Sequence, residues 1–221
     1  MKRFVVVGLG HFGSWVARAL HASGHETIAI DRNADVVDLH APFVTKGVAG
    51  DATQSDLLRH VGVEGADAAI VSTGEDLAAS VLTTIALKDV GIGEIFVKVT
   101  SLEAARALEL MGVTDTIFPE REIAFRVARS LSSRGVVDYL PLGGGYSIQE
   151  VAIPDHWLGK TLRELELPRK HGINVAAVYD VLSDKLHPAP NPDAPLKDSD
   201  IAIVVGRDET VAEVLARQKR S

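Results

Sequence analysis

The sequence predicts a doubly wound, parallel α/β sheet followed by a small C-terminal α+β module. Three observations carry that expectation. Over residues 1–118, short β-rich apolar runs alternate with segments of helical periodicity. A glycine-rich turn follows the first run, and an acid closes the second. Beyond Pro141-Leu142-Gly143-Gly144-Gly145 the rhythm shortens to strands punctuated by proline and glycine.

The apolar runs are Phe4–Val7, Thr27–Ile30, Phe43–Val44, Ala68–Val71, Ile95–Val99 and Thr116–Phe118. Where the signal is strong they are nearly unbroken, as parallel strands covered on both faces should be. The clearest helix between them is Glu75–Val90, in which Leu77, Val81 and Ile85 recur at a spacing near four and Gly91 closes the turn. Right-handed βαβ connection of such units winds the sheet in both directions from its centre. Pro119 and Glu120 then suit a helix N-terminus, since proline has no amide to lose there and a carboxylate favours the positive end of the dipole. That helix is expected to reach Ser133. It carries Ile123, Val127 and Leu131 on one face with Phe125 and Ala128 off it, so a second surface needs burial, in this chain or in another copy.

The remaining residues read as a strand at Ser147–Ile153, a short helix at Thr161–Leu167, strands at Asn174–Val181, Lys185–His187 and Ile201–Val205, and a last helix at Glu209–Arg217. Pro188, Pro190, Pro192 and Pro195 mark a loop that cannot supply an interior strand. The division expected is therefore a nucleotide-binding domain over 1–135, a linker over 136–145 and a small domain over 146–221. The last is too small to be a dehydrogenase's substrate domain.

Composition narrows the function. The 221 residues include 23 Lys+Arg against 30 Asp+Glu, a formal charge of −7, with aromatic residues at only 5%. A nucleic-acid binder needs concentrated basic charge, and a single-strand binder adds aromatic platforms, so DNA and RNA are not expected partners. Cysteine is absent, which removes disulfides and thiolate chemistry. The N-terminal apolar run stops at Gly8, and no run approaches the roughly 18 apolar residues of a membrane helix. A cytoplasmic chain with no direct membrane insertion is expected, any membrane role coming through a partner.

The candidate site begins at Gly8-Leu9-Gly10-His11-Phe12-Gly13. Gly8 permits the tight turn, Gly10 lets a pyrophosphate approach the backbone, and Gly13 allows close packing of helix on strand. The amides and dipole at the following helix start attract phosphate. Asp31, at the end of the next strand, can accept hydrogen bonds from a ribose diol and repels a 2′-phosphate. Arg32 beside it argues the other way, for a 2′-phosphate, or is a solvated loop charge. Asp51 in Gly50-Asp51-Ala52-Thr53 either meets a base or ribose or caps the next helix, as Thr53 also can. Ser72, Thr73 and Gly74 follow the fourth strand at the carboxyl edge, where such a fold has its crevice. Lys98 either counters phosphate or is an edge lysine with its head in water. His11 sits in the glycine loop, within reach of a phosphate. Together these define a Rossmann-like nucleotide site. None of the eight histidines has metal-ligand spacing, no G-x-S-x-G elbow occurs, and the loop lacks the G-K-[ST] of ATPases. The chain is not expected to be an enzyme; a small NAD-dependent oxidoreductase is the competing reading.

The order of the glycine loop, Asp31, Gly50-Asp51-Ala52-Thr53, Leu82-Thr83-Thr84, Val97-Lys98 and Pro119-Glu120, followed by a β-rich module, resembles the RCK family with its TrkA-N and TrkA-C domains, nearest the KtrA type. The resemblance covers essentially the whole chain. It implies a non-enzymatic regulatory subunit, a homo-oligomer from dimer to octameric ring, at the inner face of the cell membrane on a KtrB- or TrkH-like potassium-translocating protein. It further implies ATP and ADP as competing ligands of the crevice, with NAD(H) accepted by some members. Position by position, Gly8, Gly10 and Gly13 hold phosphate and Asp31 the ribose, Asp51 and Thr53 lie beside the adenosine, Lys98 lies near the phosphates, and Glu120 helps bind a divalent cation, Mg or Ca. His11 stands where KtrA proteins commonly have arginine. A neutral imidazole holds a γ-phosphate less firmly than a guanidinium and makes that contact pH-sensitive. The C-terminal module resembles one that binds cyclic di-AMP in relatives, with Thr161 through Gly172, Asn174–Val178 and Pro188-Ala189-Pro190 as the matching stretches, although Pro168 replaces a frequent arginine. A dimerisation module with a solvated Arg169-Lys170 turn stands beside that reading.

Overall fold

The computed structural model describes residues 1–132 and 136–216, and its first strand is the apolar run at the N-terminus. β1 (Arg3–Val7) leads into α1 (His11–Ala22), β2 (Glu26–Asp31), α2 (Ala34–His40), a 3₁₀ turn (Ala41–Phe43) and β3 (Lys46–Ala49). Then come α3 (Ser55–Val61), β4 (Ala68–Val71), α4 (Leu77–Asp89), β5 (Ile95–Lys98), α5 (Leu102–Leu110), β6 (Asp115–Ile117) and α6 (Pro119–Ser132). The six strands run parallel in the order β3-β2-β1-β4-β5-β6. The unbroken apolar runs have a direct cause. Val5 and Val7 of β1 belong to one buried cluster with Leu58, Leu87 and Leu108 of α3, α4 and α5, whereas Val6 belongs to another with Ala17 of α1 and Val37 of α2. Each central strand feeds a core on both faces of the sheet.

Two expectations are corrected. Phe43–Val44 is not the third strand: Ala41–Phe43 forms a 3₁₀ turn with Pro42 near its start, and Val44 just after it is buried. The strand is Lys46–Ala49, an edge strand paired only with β2, whose glycine answers to packing because a Cβ on Gly47 would lie 2.8 Å from Val37 Cγ1. The stretch 136–145 is not a linker. Val136–Gly143 forms β7, paired antiparallel with β8 (Tyr146–Ala152), and Gly143, Gly144 and Gly145 all take positive φ in the turn between them. Pro141 looks like a breaker in sequence, but β7 is an edge strand, where a missing amide is tolerated.

The chain divides into two compact units, Met1–Glu120 and Arg121–Ser221, rather than at residue 135. After β8 the second unit continues with α7 (Leu162–Leu165), α8 (Leu167–His171), β9 (Asn174–Asp180), β10 (Lys185–Pro188), β11 (Asp200–Arg207) and α9 (Asp208–Ala216). The single helix expected at Thr161–Leu167 is two short ones, broken at Glu166, which takes φ +47. Thr161 and Glu164 form a capping box at its start. The expected helix ends at Ser133 and Arg217 lie outside the described residues. The antiparallel sheet, in the order β10-β9-β11-β8-β7, packs Val151 and Val204 with Trp157, Ile173 and Val211. Pro188 closes β10 on the sheet's edge. A polar set reinforces this core: Tyr139 Oη and Ser147 Oγ donate to Asp208 at 2.8 and 2.6 Å, and Gln149 donates to Ser147 at 2.9 Å. Among the described residues no helix is long and apolar enough to cross a membrane.

Candidate functional site

The strand order reverses between β1 and β4, and in such sheets the crevice opens at the carboxyl ends of the strands on either side of that point. The glycine turn after β1 lies there. Gly8 turns with φ +88, and a Cβ on it would sit 2.1 Å from Ser72 O in the loop after β4. A Cβ on Gly13 would sit 1.9 Å from Gly8 O. Both glycines are demanded by the chain packing against itself.

Gly10 is different. Its φ is an ordinary −65°, and a Cβ there would meet no protein atom within 4 Å. Nothing inside the chain requires glycine at this position. Gly10 is also the N-cap of α1, an end with no side-chain cap and no acidic residue in its first turn. That helix start presents its free amides and positive dipole end with no capping side chain or acid of its own.

Two lobes flank this point. The first, about 280 Å³, is lined by Gly8, Gly10, Asp31, Arg32, Asp51 and Ala52 together with Ser72, Thr73 and Gly74. Asp31 Oδ2 accepts from Leu9 N at 2.7 Å and its Oδ1 from Asn33 N at 2.9 Å, so the end of β2 is fastened to the glycine turn. Asp51 Oδ1 accepts from Thr53 N and Oγ1 at 3.1 and 2.8 Å, and from Arg32 Nη2 at 3.0 Å. The Thr53 backbone amide leads the causes that hold the Asp51 carboxyl below its usual range, with the Thr53 hydroxyl and Arg32 adding to it. Thr73 and Ser80 share a 2.7 Å hydroxyl bond that steadies the loop after β4.

The second lobe, about 510 Å³, is lined by Gly10, His11, Phe12, Ser72, Gly74, Lys98 and Glu120. Lys98 Nζ lies 2.7 Å from Glu120 Oε1, the lysine side chain 14% exposed and the glutamate 59%. That hydrogen bond is the main cause holding the Glu120 carboxyl below its ordinary range, the first-turn backbone being the next. The lobes share Gly10, Ser72 and Gly74 in their linings and so adjoin at the glycine turn.

The structure thus brings the sequence-predicted residues together, with two exceptions. Thr53 lines neither lobe and acts as a donor to Asp51, and Gly13 lies beneath the turn as a packing residue. Asp76 and Thr83 line the first lobe and were missed. Asp76 had a readable signal, an acid just before the apolar period of α4, and it is the N-cap, accepting from Ala79 N at 2.9 Å. As a metal site the single chain does not suffice: among the described residues no group of three His, Asp or Glu side chains converges, and Glu120 is engaged by Lys98. In the second unit, Glu166 pairs with Lys170 at 2.9 Å and Arg169 at 3.5 Å, and a separate 250 Å³ cavity is lined by residues including Leu162, His187 and Pro190.

Comparison with known proteins agrees with this architecture. Residues 4–119 match the TrkA-N domain and residues 148–219 the TrkA-C domain. The chain is similar to Ktr system potassium uptake protein C of Bacillus subtilis (strain 168), 33% identical over 219 residues that cover 99% of this chain and 97% of that protein. It is similar to Ktr system potassium uptake protein A of Vibrio alginolyticus, 32% identical over 214 residues, 97% of this chain and 96% of the other. Among solved structures it shares the fold of the GsuK channel bound to NAD, with a TM-score of 0.67 at 16% identity, covering 100% of this chain and 40% of that one. The chain therefore spans less than half the length of that channel structure.

Proposed function

The chain belongs to the TrkA-N and TrkA-C family of potassium uptake proteins, and on that premise we propose that it is the nucleotide-sensing regulatory subunit of a potassium uptake system. The observation that carries the ligand is Gly10: a glycine that neither backbone conformation nor packing requires, at an uncapped helix start inside the crevice. A pyrophosphate seated over it uses the free amides and the space a methyl group would fill.

Charge sets the direction of the ligand. The first lobe holds three carboxylates, Asp31, Asp51 and Asp76, against Arg32, and suits the neutral, donor-rich ribose and base. The second holds Lys98 and His11 and suits the far end of the ligand, either the terminal phosphates of ADP or ATP or the second half of NAD. GsuK, whose fold this chain shares, is seen with NAD. A terminal phosphate would compete with Glu120 for Lys98. A divalent ion at Glu120 needs further ligands from phosphate or from a second copy, so no step is assigned to it. Arg169 and Lys170 pair with Glu166 at an exposed turn, and cyclic di-AMP is not part of this reading.

A regulator acts by binding one arrangement more tightly than another. The reading places the chain at the cytoplasmic face of a membrane, as a homo-oligomer on a membrane-embedded potassium-conducting protein. Apolar side chains exposed on α4 (Leu82, Ile85) and α6 (Ile123, Phe125, Leu131) support contact with further copies. Calorimetric titration of the purified chain with ADP, ATP and NAD, alongside its mass in solution, tests the proposal. Saturable binding of at least one nucleotide by an oligomer is expected. Absence of binding, or turnover of NAD with simple hydroxy acids, would overturn it.

A further inference from the structure

Arg32 is the cation of the first lobe, and it is not free. Its Nη2 and Nε lie 3.0 and 3.3 Å from the same oxygen, Asp51 Oδ1, which joins the loop after β2 to the loop after β3. The acids around it have their own backbone donors: Asp31 takes Leu9 N and Asn33 N, and Asp76 takes Ala79 N. Asp51 alone takes the guanidinium. Thr53 fixes that carboxylate through two further bonds to the same oxygen, Oδ1.

A phosphate on the 2′-oxygen of a ribose held by Asp31 would need a neighbouring cation to offset the carboxylate, and Arg32 is the adjacent one. From this geometry we infer that Asp51 is a specificity-determining residue that works through Arg32: by holding the guanidinium toward β3, it makes the crevice select adenosine with a free 2′-hydroxyl over 2′-phosphorylated adenosine. The inference rests on the nucleotide reading of the crevice and adds to it the discrimination at one sugar position. Arg32 is the latent 2′-phosphate ligand, and Asp51 is the positioning residue that keeps it occupied.

The test compares 5′-AMP with adenosine 2′,5′-bisphosphate, which differ by the 2′-phosphate alone, on the full chain at fixed ionic strength. The wild type should prefer 5′-AMP. Asp51→Asn keeps the Oδ1 acceptor but removes the negative charge that holds the guanidinium, and it should move the affinity ratio toward the bisphosphate by about threefold, the size of an exposed charge contact. Adding Arg32→Ala should return the ratio to the wild-type side. A purely structural role for Asp51 would weaken both ligands alike and leave the ratio unmoved, and that result would overturn the inference. So would an equal shift in the Asp51→Asn/Arg32→Ala pair, because Asp51 would then act without Arg32. Binding of 5′-AMP with an unmoved ratio leaves the nucleotide reading standing, whereas a wild type that binds neither compound sinks that reading and this inference with it.

Discussion

Alanine at Gly10 and alanine at Gly13 place the same methyl group in opposite surroundings three residues apart. At Gly13 the new carbon would stand 1.9 Å from Gly8 O and 3.2 Å from Ser72 Cβ, and a backbone carbonyl cannot swing aside as a side-chain tip can. Relieving that overlap shifts α1 against β1 and should cost about 3 kcal/mol, the upper part of the range for overpacking. In a chain of this size each kcal/mol lowers Tm by about 2–4 °C, so the drop should be near 10 °C. At Gly10 the methyl meets no protein atom, and the price of the change is that of alanine for glycine at an N-cap, below about 1 kcal/mol. The same methyl occupies the space assigned to the pyrophosphate, and loss of two or more amide contacts there should weaken ADP or NAD by at least about tenfold, equivalent to 1.4 kcal/mol. Thermal unfolding without ligand and calorimetry with ligand separate the two effects. A Gly10→Ala chain that binds nucleotide as tightly as the wild type would refute the placement of phosphate over Gly10. A Gly13→Ala chain with an unchanged Tm would refute the packing argument.

The second unit depends on Trp157, which is 2% exposed. Trp157→Ala should destabilise that unit by about 3–5 kcal/mol while nucleotide binding by the first unit persists, measured by urea unfolding followed on the two units separately. The Lys98–Glu120 pair should leave an acid signature. Because Lys98 depresses the Glu120 carboxyl in the folded chain, the pair's stabilisation is present above the ordinary carboxylate range and is lost as pH falls through the depressed value. Glu120→Gln should therefore flatten the acid limb of the Tm–pH curve, by a small amount because the glutamate is largely in water. Superimposable acid limbs would show that the pair contributes nothing to folding.

What could be read in the sequence was local. The run Phe4-Val5-Val6-Val7, the glycine turn behind it and Asp31 at the end of the next strand carry their meaning in neighbouring residues, and the parallel fold follows from them. Lys46–Ala49 escaped notice because an edge strand with a lysine and a glycine has little apolar signature, while nearby Phe43 and Val44 have a strong one without being a strand. Pro141 concealed β7 for the complementary reason: its penalty vanishes on an edge. The partnerships Arg32–Asp51 and Lys98–Glu120 were illegible because each joins side chains brought together only by strand order. Residue types alone left Arg32 a choice between sugar phosphate and solvent. The structure pairs it with Asp51 while leaving its side chain 59% exposed.

The bond from Leu9 N to Asp31 Oδ2 makes the end of β2, the proposed sugar acceptor, and the glycine turn one mechanical piece. Folding of β1 beside β2 already orients both before any guest arrives, so an arriving molecule finds its seat rigid and surrenders little further entropy to shape it. A seat of that kind is poorly suited to signalling by its own reshaping. On the proposed nucleotide reading, the exchangeable partnership lies at the opposite end of the crevice, in the Lys98–Glu120 ion pair.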